Sequence, residues 1–185
     1  MVISESPDSI KLEEFSKLLC DELGDLLHAE NMLLKALPKL IAGTSAPALK
    51  ALFENHFKQT RSQVKRLEKM FEAIDLPARE KKCEGMMGLL VECQHVLTRA
   101  KPSLAVDQAL ISLARKIESF EAIAYESAAV WAGLCGIRSV REMALEAAEE
   151  ENAMSRALEK LLPDINASAP ARKSKSRVPM EAVAS

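Results

Sequence analysis

A chain of 185 residues with 48% hydrophobic side chains can bury the core of one domain, and 25 Lys plus Arg against 27 Asp plus Glu leave a net charge of −2. That balance excludes a global field that would draw in nucleic acid or an anionic membrane surface. No stretch offers the roughly 20 apolar residues of a bilayer span, and the opening MVISESPDSIKLEEF lacks a basic region leading into an apolar run, so a cytoplasmic protein with no membrane attachment is expected.

Low aromatic content, at 4%, and scarce Gly and Pro favour helices over strands. The first predicted helix runs from about Ser9 to Ile41, with Leu19, Leu23, Leu26, Glu30, Leu33, Leu37 and Leu40 in alternating steps of four and three. Gly43 supplies its stop, Ser45 an N-cap for the next helix, and Pro47 a tolerated first-turn residue. The second helix carries Leu49, Phe53, His56, Thr60, Gln63, Leu67 and Met70 in the same alternation. After DLPAREKKCEG, a short amphipathic piece with Met86, Leu89, Leu90, Cys93 and Leu97 on one side reads as a crossover segment. The third long helix takes Val106, Leu110, Leu113, Ile117, Phe120, Ala124, Ser127 and Trp131 to the core, with Trp131 packing at the hairpin end. GLCGIRS turns the chain into the fourth, which carries Val140, Met143, Ala147, Glu150, Met154 and Leu161 and is expected to end at Pro163.

Two antiparallel helical hairpins joined by a long crossover containing a short helix make an all-α four-helix bundle of the ferritin-like kind, over residues 1–166. Residues 167–185 are small, Pro-containing and basic, and are expected to form a disordered tail, for which a solvated role is preferred over nucleic-acid contact. The scattered Cys20, Cys83, Cys93 and Cys135 form no CxxC pair and are expected as reduced, mostly buried thiols.

Residues equidistant from a hairpin turn lie at one depth. A first turn centred near Thr44 sets Glu30 opposite residue 58, within a turn of His56, Gln59 and Thr60. A second turn centred at Cys135 and Gly136 sets Glu121 opposite Glu150, and Tyr125 opposite Glu146, with Glu118 one turn before Glu121. Ionised carboxylates persist in an apolar interior when they are paired, hydrogen-bonded or bound to a cation, and a cluster of them needs positive charge. Carboxylates with at most one imidazole suit iron or manganese better than zinc. Among the three glutamates of AAEEEN, Glu150 fits the seam best and Glu151 is the runner-up. The sole literal Glu-x-x-His, Glu92 with His95, falls on the polar side of the crossover piece.

The segments ELGDLLHAENMLLKALPKL, FENHFKQTRSQVKRLEKMFE, KKCEGMMGLL, ALISLARKIESFEAIAYESA and LEAAEEENA, in this order, resemble the bacterial YciE/YciF-type ferritin-like family of small stress-associated proteins. The resemblance spans about Phe15 to Leu162 and implies a crossover bundle with a dinuclear metal site, as a homodimer. It carries metal-binding roles onto Glu30, His56, Glu118, Glu121, Glu146, Glu149 and Glu150, with Gln59 at a ligand position where the family has glutamate. Met87 before Gly88 and Ser119 depart from the family's usual glutamate and histidine. A neutral amide at Gln59 weakens one metal position and leaves a mononuclear iron or manganese site open beside the di-metal one. The implied function is a carboxylate-bridged di-metal protein of the stress response that meets oxygen or peroxide as a small oxidant. The alternative is a non-catalytic structural or interaction protein on the same scaffold.

Overall fold

Among the described residues five helices follow one another: α1 (Pro7–Gly43), α2 (Pro47–Glu72), α3 (Glu84–Arg99), α4 (Leu104–Leu134) and α5 (Arg138–Ala167). This computed structural model describes residues 7–167, with side chains from residue 12 onward, so the expected basic tail lies, from residue 168, outside the described residues. α1 pairs with α2 and α4 with α5, contacts of α1 with α4 and of α2 with α5 close the bundle, and α3 lies against α1 and α4. This is the ferritin-like crossover arrangement expected from the helix periodicity. No helix of the described residues is long and apolar enough to cross a membrane.

The seams of α1 and α2 are buried as their spacing requires, from Leu19 to Leu40 and from Leu49 to Met70. In α4 and α5 the phase differs by one residue over part of each helix. Phe120, Ser127 and Trp131 are only half-buried, while Glu121, Ala128 and Ala132 take the interior. In α5, Ala144 and Glu151 are buried where Met143 and Glu150 were expected. The reason is steric: alanines at 122, 124, 128, 144, 147 and 148 let α4 and α5 approach closely, so small residues occupy the contact line and larger apolar ones border it.

Two helix ends also differ from expectation. α2 begins at Pro47 with Ala46 as N-cap and no cap from its own side chain. The buried Asp107 of α4 caps it instead, accepting from Ser45 N–H at 2.8 Å, from Ala46 N–H at 2.9 Å and from the Ser45 hydroxyl. An anionic side chain at a helix start satisfies orphan donors and meets the positive end of the helix dipole. At the other end, α5 runs through Pro163 to Ala167, held by Leu158 and Ile165, which are buried on either side of the proline. Core packing there outweighs the hydrogen bond that proline removes.

The crossover is fastened to α1 along residues 80–83. Lys81 N–H donates to the Gly24 carbonyl at 3.0 Å, Cys83 N–H to His28 Nδ1 at 3.0 Å, and Asn31 Nδ2 to Glu80 Oε1 at 2.8 Å. The approach needs a glycine, because a Cβ on Gly24 would meet Lys81 Cβ at 3.0 Å and the Arg79 carbonyl oxygen at 3.1 Å.

Apolar packing falls into two bodies. One holds Leu33, Leu37, Leu49, Phe53, Leu110, Ile117, Met154 and Leu158, roofed by α3. The other holds Leu19, Leu23, Leu26, Leu67, Met70 and the alanine stretch of α4 and α5. Between them every long helix contributes buried polar residues: Glu30 from α1, His56, Thr60 and Gln63 from α2, Glu118 and Glu121 from α4, and Glu151 from α5. Each fully buried leucine contributes about 2 kcal/mol, and together they offset the cost of this polar layer.

Candidate metal centre

Four glutamates and one histidine converge in that layer. Glu30 and Glu121 are 0% exposed, Glu118 1%, Glu151 0% and His56 2%. One ligand atom from each of His56, Glu118, Glu121 and Glu151 lies within 4.8 Å of the others. Glu30 borders this group, its charge acting on both Glu118 and Glu121, and the Tyr125 hydroxyl donates to Glu30 Oε1 at 2.6 Å.

Their hydrogen bonding is incomplete. Glu30 Oε2, Glu118 Oε2, Glu151 Oε2, both oxygens of Glu121 and both ring nitrogens of His56 are buried without a hydrogen-bond partner. His56 Nε2 lies 3.2 Å from Glu118 Oε1, a contact without hydrogen-bond geometry. Burial drives the His56 pKa down to about 4, so near neutral pH it is an uncharged imidazole and the contact is no ion pair. Buried polar groups are nearly always partnered, and orphans concentrated at one point mark where a further group belongs.

Electrostatics point the same way. Burial, followed by the charge of neighbouring carboxylates, pushes Glu30, Glu118 and Glu121 well above the usual carboxylate range. Burial also raises Glu151 to about 7, against the opposing hydrogen bonds from Glu118 and Gln63. Tyr125 is raised well above its ordinary value by burial and by the Glu30 charge, so it stays a donor. Carboxylates packed this closely cannot all ionise unless cations join them. The donor set, oxygen-rich with one imidazole, fits iron or manganese and lacks the thiolates or several histidines of a structural zinc site.

Of the residues that sequence reasoning selected, Glu30, His56, Glu118 and Glu121 are brought together. Glu150 is not: its carboxylate turns to the rim of the layer, where Arg66 grips it with bonds of 2.8 and 2.9 Å, and Glu151 takes the inward position. Glu146 is exposed and lies 3.7 Å from the same guanidinium, while exposed Glu149 pairs with Arg156. Gln59 is half-buried, one position off the α2 seam that runs through His56, Thr60 and Gln63. Gln63 is the amide that reaches the centre, donating to Glu151 Oε1. Its seam position is visible in the sequence, whereas Arg66 lies off that seam and carries no such signal. Exposed Glu92 and His95 are away from the layer, as their side of α3 implied.

Residues 14–170 match the family described as a domain of unknown function, DUF892. The chain belongs to this family. Within it, the chain is similar to Protein YciF of Escherichia coli strain K12, 33% identical over 132 residues that span 71% of this chain and 80% of the relative. Its fold superposes on the crystal structure of the E. coli stress protein YciF with a TM-score of 0.80 at 29% identity, covering 84% of this chain and 98% of that one. It also superposes on YcfI from Rhodopseudomonas palustris, described as a putative structural protein, with a TM-score of 0.76 at 25% identity over 78% of this chain and 92% of the other.

Proposed function

We propose that this DUF892 chain binds divalent iron or manganese between its four long helices, through Glu30, Glu118, Glu121, Glu151 and His56. The observation that carries the reading is the group of buried, unpartnered carboxylate oxygens and imidazole nitrogens at one depth of the bundle. Two divalent ions would neutralise the four carboxylates completely, and a single ion would leave two of them to be protonated. We therefore favour a dinuclear centre, which Glu30, Glu118, Glu121, Glu151 and His56 would hold. Bound iron or manganese would supply redox chemistry toward oxygen or peroxide. The protein's part is to orient the ligands, with Tyr125 fixing Glu30 and Gln63 fixing Glu151.

Isothermal titration of metal-free protein with Mn(II) is the test, with two equivalents expected in the wild type and a loss of at least one in Glu121→Gln. Absence of binding in the wild type would overturn the reading. Mixing the Fe(II)-loaded protein with oxygen or peroxide then asks whether the metal turns over.

A second reading has its own support: α2 contributes no carboxylate to the centre, only His56 and the neutral Gln63. On that reading the metal holds the bundle together without catalysis, in line with the description of YcfI as a putative structural protein. Metal-dependent thermal stability without oxidation of Fe(II) would select it. Under either reading the protein works as a stress-associated homodimer, and sedimentation equilibrium checks the dimer.

A further inference from the structure

The walls around the centre are unequal. α3 covers the side formed by α1 and α4, and alanines close the α4–α5 side. Between α2 and α5 there is instead a cavity of about 420 Å³, whose lining includes Asn55, His56, Gln59, Glu150, Ala153 and Met154. His56 is the decisive member, because it is 2% exposed, both its nitrogens lack partners, and the same imidazole lies 3.2 Å from Glu118. One side chain therefore belongs both to the cavity and to the carboxylate layer.

We infer that the α2–α5 cavity is the port through which a divalent cation reaches the centre, with His56 the first buried ligand it meets. This deepens the metal reading and rests on it. The space suffices: water takes about 30 Å³ per molecule, so a hexahydrated ion of roughly 200 Å³ fits within the cavity. The rim has the right chemistry for a hydrated cation. Gln59 and Asn55 offer neutral amide oxygens, and the partly exposed Glu150 is a carboxylate already held in a two-bond pair with Arg66. A cation arriving there can exchange water for these oxygens in steps before it meets the imidazole. The port also gives Gln59 a role other than the ligand position expected for it: it stands at the mouth.

Ala153 is the position that tests this, because it lines the cavity yet is exposed, so a larger side chain there fills the mouth without entering the core. Metal-free wild type, Ala153→Leu, Ala153→Trp and the control Leu145→Trp, which alters an exposed position on the same helix away from the cavity, are mixed with Mn(II). Uptake is followed by loss of the free-ion paramagnetic resonance signal. The expected result is slowing by a few-fold in Ala153→Leu and on the order of tenfold or more in Ala153→Trp, with final stoichiometry and melting behaviour unchanged and Leu145→Trp at the wild-type rate. Wild-type rates in both Ala153 variants would overturn the port while leaving the metal centre standing, and so would equal slowing in the control. Absence of Mn(II) uptake by the wild type would overturn the metal reading, and the port with it.

Discussion

Replacing Glu121 by leucine should stabilise the metal-free protein while abolishing its response to metal. Glu121 is 0% exposed and neither of its oxygens has a hydrogen-bond partner, so the metal-free fold bears its desolvation without compensation. An unsatisfied buried polar group costs about 1–3 kcal/mol. Leucine has a similar volume, and a volume-conserving exchange costs under about 1.5 kcal/mol in return. The net gain is about 1 kcal/mol. At about 2–4 °C per kcal/mol for a domain of this size, the melting temperature in EDTA should rise by about 3 °C. Excess Mn(II) acts in the opposite sense on the pair: at a hundred times its dissociation constant it adds about 2.7 kcal/mol to the wild type and little to Glu121→Leu. Circular-dichroism melts of both proteins, with EDTA and with Mn(II), check the reasoning. A Glu121→Leu protein that melts lower than wild type in EDTA and keeps the full Mn(II) shift would refute it.

Other expected outcomes follow from individual contacts. For the metal-free protein, the folded-state pKa values of Glu30, Glu118, Glu121 and Glu151 lie above the ordinary 4.5, so their contribution is fully present below about pH 4.5 and is lost as pH rises through the raised values, the Glu151 step falling near 7. His56, lowered from 6.5 to about 4, works in the opposite direction between those values, but it is one group against four, so melts in EDTA should fall from about pH 5.5 to about pH 8. A melting temperature that climbs over this range would contradict the burial of these carboxyls. Asp107→Ala strips the α2 N-terminus of three hydrogen bonds to an anionic acceptor and should cost about 2 kcal/mol in urea unfolding, whereas an unchanged midpoint would mean that water caps α2 equally well. Gly24→Ala pushes a methyl group to 3.0 Å from Lys81 Cβ and should cost about 1–2 kcal/mol despite the better helix propensity of alanine; a more stable variant would show that the crossover gives way freely.

The helices and their pairing were legible because leucine spacing on α1 and α2 is regular and the hairpin turns carry glycine. Depth matching from the hairpin turns rests on the same regularity and sets Glu30, His56 and Glu121 near the middle of the bundle. It failed at Glu150 because depth is insensitive to rotation about the helix axis. Met143 and Glu150 fit an apolar seam as well as Ala144 and Glu151 do, and hydrophobicity alone ranks the methionine first. What decides between them is the close α4–α5 contact, a property of two helices together that the periodicity of either one does not contain. Arg66 was missed for a related reason. An arginine on the polar flank of α2 looks solvated until Glu150 faces it from α5. The cap at Asp107 and the glycine at 24 are likewise contacts between elements far apart in the chain, 62 and 57 residues from their partners Ser45 and Lys81.

The most direct test of the central claim is a crystal of the protein grown with Mn(II) and measured for anomalous scattering at the manganese edge. Strong peaks bounded by Glu30, Glu118, Glu121, Glu151 and His56 are expected, about 3.5–4 Å apart if two ions bind. A map with no peak in that layer, or with manganese only on exposed carboxylates such as Glu92 or Glu149, would contradict it.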